Sequence, residues 1–176
     1  LFGNAVSLCP EVAQGLYQTY LFNPDPSYFI AMTDAAVKSV ERFPDVRSAS
    51  DMTFLMNYAA LAGVADPDYF IDGAEAIWQY RLANYGGTPT AFAEYIRDLR
   101  AGQGYANGII PWDVALYCTA LVKLDSVRSG LGYDQDAIDV AEVIWQDSFN
   151  ASPGYFDPDG HSMGFDEGWA NTDYYW

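Results

Sequence analysis

Apolar and polar positions follow two helical registers along this chain. From Pro67 to Leu82 the polar residues Asp68, Asp72, Glu75 and Gln79 fall three to four apart, while Phe70, Ile71, Ala74, Ile77, Trp78 and Leu82 line the opposite side. That spacing predicts an amphipathic helix, one side wet and the other packed. The polar stripe returns as Gln135, Asp139, Glu142 and Gln146, and the apolar stripe as Ile138, Ala141, Ile144, Trp145 and Phe149. The second register is apolar nearly all round: Met52 to Val64 and Val114 to Val122 contain no charge, which predicts helices buried between layers. Each apolar helix leads into an amphipathic one, Asp51–Val64 into Pro67–Leu82 and Trp112–Asp125 into Asp134–Phe149. An earlier, diverged pair is predicted over Glu11–Phe22 and Pro26–Phe43, joined by Asn23-Pro24-Asp25-Pro26 with Pro26 near the first helical position.

The registers belong to a repeat. Ile71-Asp-Gly-Ala-Glu-Ala-Ile-Trp-Gln79 recurs 67 residues later as Ile138-Asp-Val-Ala-Glu-Val-Ile-Trp-Gln146, identical at seven of nine positions, and Asp25-Pro-Ser-Tyr-Phe-Ile30 matches Asp66-Pro-Asp-Tyr-Phe-Ile71. Self-similarity of this kind means that one inner-helix, turn, outer-helix unit is stacked several times. Matching stripes imply matching environments. Units of about 10–43, 50–82 and 111–149 are expected within a single domain, with an inserted loop and short helix over 86–110 and an irregular Gly/Asp-rich tail over 150–176. The fold class is all-α. Repeated around an axis, such hairpins give an α/α toroid; along a line, they give a solenoid.

Composition narrows the partners. The 176 residues are 51% hydrophobic and 16% aromatic, enough for a real core and far from disorder. With 24 acidic against eight basic residues the net charge is −16, which disfavours nucleic acid and anionic membrane and suits cations or neutral ligands such as sugars. No apolar run reaches the roughly 18 residues of a membrane span. The start at Leu1 and the Asn150-Ala-Ser152 sequon fit a processed extracellular or cell-surface protein, and a piece of a longer chain fits the start equally. Cys9 and Cys118 leave open a disulfide or a buried thiol.

Three inner-helix starts carry an aspartate: Ser50-Asp51-Met52, Trp112-Asp113-Val114 and Thr172-Asp173-Tyr174. Ringed around an axis, these helix ends would converge on one rim. Asp113 and Asp173, with Asp51 as a third candidate, would then offer the carboxylate pair of glycoside hydrolysis. The competing reading is helix capping, in which each carboxylate accepts backbone N–H bonds of the first turn. Trp112, Tyr105, Trp169 and Tyr174 supply flat faces for stacking on sugar rings, or packing between helices and loops. Asp157, Asp159, Asp166 and Glu167 offer oxygen ligands for calcium, although the segment departs from the twelve-residue EF-hand loop. His161 is the lone histidine, so no multi-histidine zinc site is encoded.

The helix starts Trp112-Asp113-Val114-Ala115-Leu116 and Asn171-Thr172-Asp173-Tyr174-Tyr175-Trp176, with the outer-helix motif Ile77-Trp78-Gln79 and Ile144-Trp145-Gln146, resemble the α/α-toroid superfamily. That group includes six-hairpin glycosidases, polysaccharide lyases and terpenoid-cyclase-like proteins. The resemblance implies part of a toroid and, for the sugar-acting members, an acidic funnel lined with aromatics. No D-x-D-D acid motif is present, and no prenyltransferase zinc set aligns. Two functions follow as expectations. One is an extracellular domain that binds or processes a polysaccharide or other glycan. The other is an assembly module without catalysis, completed by a homo-oligomer or by another chain that closes the toroid.

Overall fold

The computed structural model describes residues 10–42, 49–98, 111–150 and 155–156. They form seven helices and one minimal β-ribbon: α1 (Pro10–Phe22), α2 (Pro26–Glu41), α3 (Ala49–Ala59), α4 (Pro67–Asn84), α5 (Pro89–Asp98), α6 (Pro111–Val127) and α7 (Tyr133–Ser148), then β1 (Phe149–Asn150) antiparallel to β2 (Tyr155–Phe156). The expected all-α class holds, and the ribbon adds a short regular element that takes Phe149 from the end of the predicted outer helix and the rest from the tail predicted as irregular. Two compact units divide the chain, Leu1–Tyr80 and Arg81–Trp176, with the boundary inside α4.

In the first unit α1 packs on α2 and α3, and α2 packs on α3. Helix α3 is buried at every position from Met52 to Tyr58, as its charge-free register predicts, and Ala49, Ser50 and Asp51 ahead of that register are buried as well. Tyr58 is the hub. Its ring meets Phe29, Phe54 and Phe70 at centroid distances of 5.9, 6.2 and 4.9 Å. Its hydroxyl lies 2.6 Å from Thr33 Oγ1, which itself donates to the Phe29 carbonyl at 2.8 Å. The threonine proton is therefore spoken for, and Tyr58 is the donor between the two hydroxyls. The predicted run to Val64 stops short, at Ala59. Leu61 N bonds Tyr58 O in a tighter turn and Gly63 takes φ +91°, so the chain reverses before Pro67.

The two Asp-Pro copies begin α2 and α4 in the same way. Asp25 caps α2, accepting from Ser27 N at 2.8 Å and from Ser27 Oγ at 2.7 Å, and these bonds hold its carboxyl below the usual range. Asp66 accepts from Tyr69 N at 3.3 Å. Both prolines stand where no N–H is needed.

In the second unit α5 and α6 both pack against α7. The inserted helix α5 buries Phe92, Ala93 and Ile96, so it is part of the core here. Helix α6 corrects the expectation of burial all round. Val114, Tyr117, Ala120, Leu121 and Leu124 are buried, but Val122 is exposed. A charge-free sequence permits burial on every side without requiring it. The α6–α7 turn uses Gly130 and Gly132, both at positive φ, in place of the Asp-Pro start of α2 and α4.

Candidate functional site

The predicted carboxylates stand differently from one another. Asp51 and Asp113 are each the third residue of their helix, α3 and α6. Asp51 is 3% exposed and accepts a hydrogen bond from Ser39 Oγ of α2 at 3.2 Å. That placement makes it a buried partner of the α2–α3 contact. The backbone positions of Trp112 and Asp113 lie in the first turn of α6, and their side chains fall outside what is described. Tyr105, Asp157, Asp159, Asp166, Glu167, Trp169, Asp173 and Tyr174 also lie outside the described residues. Among the described residues no group of three or more His, Cys, Asp or Glu is arranged to hold a metal ion.

The repeated stripe gives the clearest contrast. Equivalent isoleucines sit in α2, α4 and α7: Ile30 is 68% exposed, Ile71 7% and Ile138 54%. The next equivalent turn follows suit between the nonapeptide copies, with Ala74 buried and Ala141 exposed. The matching environments expected from matching stripes are therefore absent. The physical reason is that the buried side of α7 is narrower than that of α4. Helix α7 buries Tyr133, Ala137 and Val140, with the Ala137 carbonyl accepting from Cys118 Sγ of α6 at 3.7 Å. The equivalents of Ala137 and Val140 in α4 are Phe70, which meets Tyr58, and Gly73, where an added Cβ would stand 2.7 Å from Val40 Cγ2 and 3.5 Å from Leu55 Cδ1. Both outer helices thus turn this side to their preceding helices. Only α4 also buries the neighbouring Ile-Ala side.

At 100° per residue, Ala141 and Ile138 lie between the buried seam of α7 and an edge formed by Gln135, Asp139 and Glu142. Gln135 Nε2 donates to Asp139 Oδ1 at 2.7 Å along that edge. Helix α7 contains Asp134, Asp136, Asp139, Glu142 and Asp147 and no basic residue. Its exposed apolar strip is therefore bordered by negative charge.

A buried cation escaped the sequence reading. Arg81 is 5% exposed; its Nε donates to Tyr117 Oη at 2.6 Å and its Nη1 to Tyr85 Oη at 3.3 Å. Its guanidinium carbon lies 5.5 Å from the Tyr85 ring centroid and 5.9 Å from that of Tyr117. Phe92 packs edge-on against Tyr117 at 5.3 Å, closing the cluster. The signal was present: Arg81 falls three and four residues after Trp78 and Ile77, on the apolar stripe rather than the polar one. Burial also pushes the Cys118 thiol up to about 12 and the half-buried Lys123 ammonium down, and Cys118 is free of any disulfide. No helix among the described residues is long and apolar enough to cross a membrane. Comparison with protein-family models, with curated proteins and with solved structures returns no match.

Proposed function

We propose that this chain is an assembly module, an open array of helical hairpins in the manner of a partial α/α toroid, whose work is to seat further helices on its uncovered stripes. One observation carries the reading: of the three equivalent isoleucines only the middle copy in sequence, Ile71, is buried, while Ile30 and Ile138 are exposed. In repeat arrays an interior unit has its apolar side covered by neighbours, and terminal units do not. The test uses helix-forming peptides that share one leucine stripe and differ in their flanks (glutamine, lysine or glutamate), together with light scattering of the protein alone across a concentration series. The reading expects association with a peptide or with a second copy, abolished by Ile30→Asp or Ile138→Asp in variants that retain their helical circular dichroism. Association that ignores both isoleucines, or none at all, overturns it.

A second reading is an extracellular domain that binds or processes carbohydrate. The register of α3 and α6 favours it, since each helix carries its aspartate at the third position and α6 adds Trp112 beside Asp113. Here Asp113 and Asp173 are the working carboxylates, Trp112, Tyr105, Trp169 and Tyr174 the stacking faces, and Asp157, Asp159, Asp166 and Glu167 the ligands of a calcium ion. A glycan screen decides it. Trp112→Ala should lose a wild-type glycan signal while staying folded, and a wild type silent across neutral and acidic glycans would sink the idea.

A further inference from the structure

We infer that this fold is conditional on dissolved electrolyte: it gains stability as ionic strength rises, through screening of its own negative charge, and is weakest in dilute solution. The net charge is −16, from 24 acidic and eight basic residues, however the cations are shared out. The fold then takes several of those cations off the surface. Arg81 is withdrawn among tyrosine rings at 5% exposure, Lys123 is half-buried, and Lys38 is held by Asp34 of its own helix. Carboxylates stay on the wet side: Asp34, Glu41, Asp68, Asp72, Glu94 and Glu142 are all exposed, spread over α2, α4, α5 and α7. A compact state that gathers like charges in this way is destabilised by their mutual repulsion.

Position along the helices adds to the repulsion. Asp125 and Asp147 stand in the last turns of α6 and α7, which hold no basic residue there, so each faces the negative end of its helix dipole. Acidic residues in the first turns of α3, α4 and α7 have the opposite, favourable placement, and salt weakens that too. Range decides the sign. A dipole contribution acts over one turn only. Repulsion between like charges reaches one Debye length, about 30 Å at 0.01 M salt and about 8 Å at 0.15 M. The longer reach exceeds the whole of α4, about 27 Å for its 18 residues, and the shorter one covers only near neighbours. Salt therefore removes more repulsion than attraction.

The test is urea unfolding of the full chain, followed by circular dichroism, in sodium chloride or choline chloride from about 0.01 to 0.5 M, a range over which the Debye length shrinks several-fold. Urea is uncharged and leaves the screening alone. Stability extrapolated to water should rise with salt by more than the roughly 10–15% that the extrapolation leaves uncertain. Most of the rise should be complete by about 0.15 M, and the two cations should act alike. The triple variant Glu41→Gln, Glu94→Gln and Asp125→Asn, which removes three of the negative charges, should be more stable than the wild type at the lowest salt and match it at the highest. Stability that is flat or falls with salt overturns the inference, as does a triple variant no better than the wild type in dilute solution. A gain with sodium that choline does not reproduce would mean a bound cation instead of screening. A gain that climbs evenly to the highest concentration would mean a general salt effect on apolar burial, and it too would overturn the inference.

Discussion

Truncating the three equivalent isoleucines to alanine should give one large loss and two small ones. Ile→Ala removes three carbons, worth about 2.4 kcal/mol of transfer free energy at full burial. At Ile71, 7% exposed and close-packed, nearly all of that is lost and a cavity term adds to it, for a cost of about 2–4 kcal/mol. At Ile138, 54% exposed, only about 1 kcal/mol of transfer is at stake, and at Ile30, 68% exposed, about 0.8. Alanine's better helix propensity returns about 0.4 kcal/mol in each case, leaving a net cost near 0.5 kcal/mol at the two exposed sites. Urea unfolding followed by circular dichroism measures all three, read as midpoint shifts at unchanged slope. If Ile138→Ala costs as much as Ile71→Ala, the α7 strip is covered and both the repeat argument and the docking argument fail. A loss below about 1 kcal/mol at Ile71 would refute the packing of α4 instead.

Three further outcomes follow from the packing. Tyr117→Phe takes the acceptor from a buried guanidinium and should cost about 1.5–3 kcal/mol, whereas adding Arg81→Met removes the stranded charge as well. The double variant should therefore cost at least about 1 kcal/mol less than the sum of the singles in denaturant titrations, and additivity within about 0.5 kcal/mol would count against the pair. Gly86→Ala puts a side chain at φ +101° with its Cβ 2.5 Å from that of Ala91, at the Schellman-type end of α4 where Gly87 N bonds Leu82 O, and should lower stability by about 2 kcal/mol in thermal melts; an unchanged midpoint would contradict that geometry. The Cys118 thiol, raised to about 12, stays protonated at neutral pH, so in a Cys9→Ser background alkylation should be far slower in the native than in the denatured chain. Because the folded state holds that proton more tightly, the associated stability is complete below the unfolded thiol value of about 8.5 and declines as the pH climbs towards 12; rapid native labelling at mildly alkaline pH would contradict it.

Helix placement was legible because it rests on local chemistry. The Asp-Pro pairs at 25–26 and 66–67 announce the starts of α2 and α4, and the charge-free stretch after Asp51 announces a buried α3. Burial was legible only where a residue type leaves one choice. Ile71 and Ile138 share a nonapeptide, and no local signal says which of them another helix will cover, because coverage is a tertiary property. Arg81 escaped notice for a related reason. A charge on an apolar stripe reads as an error in the periodicity until Tyr117, 36 residues on, is seen to accept its hydrogen bond. The candidate site was partly legible: that Asp51 and Asp113 stand at the starts of their helices was visible in the sequence, but their shared third position and the Ser39 bond that closes off Asp51 were not.

One of the two differences within the repeated nonapeptide points the same way as the burial. They fall at Gly73 against Val140 and at Ala76 against Val143. Gly73 is small because Val40 and Leu55 come close to its backbone, and Val140 is large because in α7 the side chain itself fills the seam. The first difference thus falls where each copy adapts to its own preceding helices and the second at half-buried positions, while Ile, Asp, Ala and Glu at the first, second, fourth and fifth positions are unchanged. In α4 that retention is explained by burial of Ile71 and Ala74. In α7 burial explains none of it, since Ile138 and Ala141 face outward and an exposed helix loses little by trading isoleucine for a polar residue. On the assembly reading proposed above, a strip that keeps the chemistry of a buried surface without being buried is accounted for by a helix that it receives. Exchanging Ile138 for Gln should therefore leave folding almost untouched and remove only association. A variant that instead loses folding stability on the scale of Ile71→Ala would mean that α7 uses the strip for its own fold.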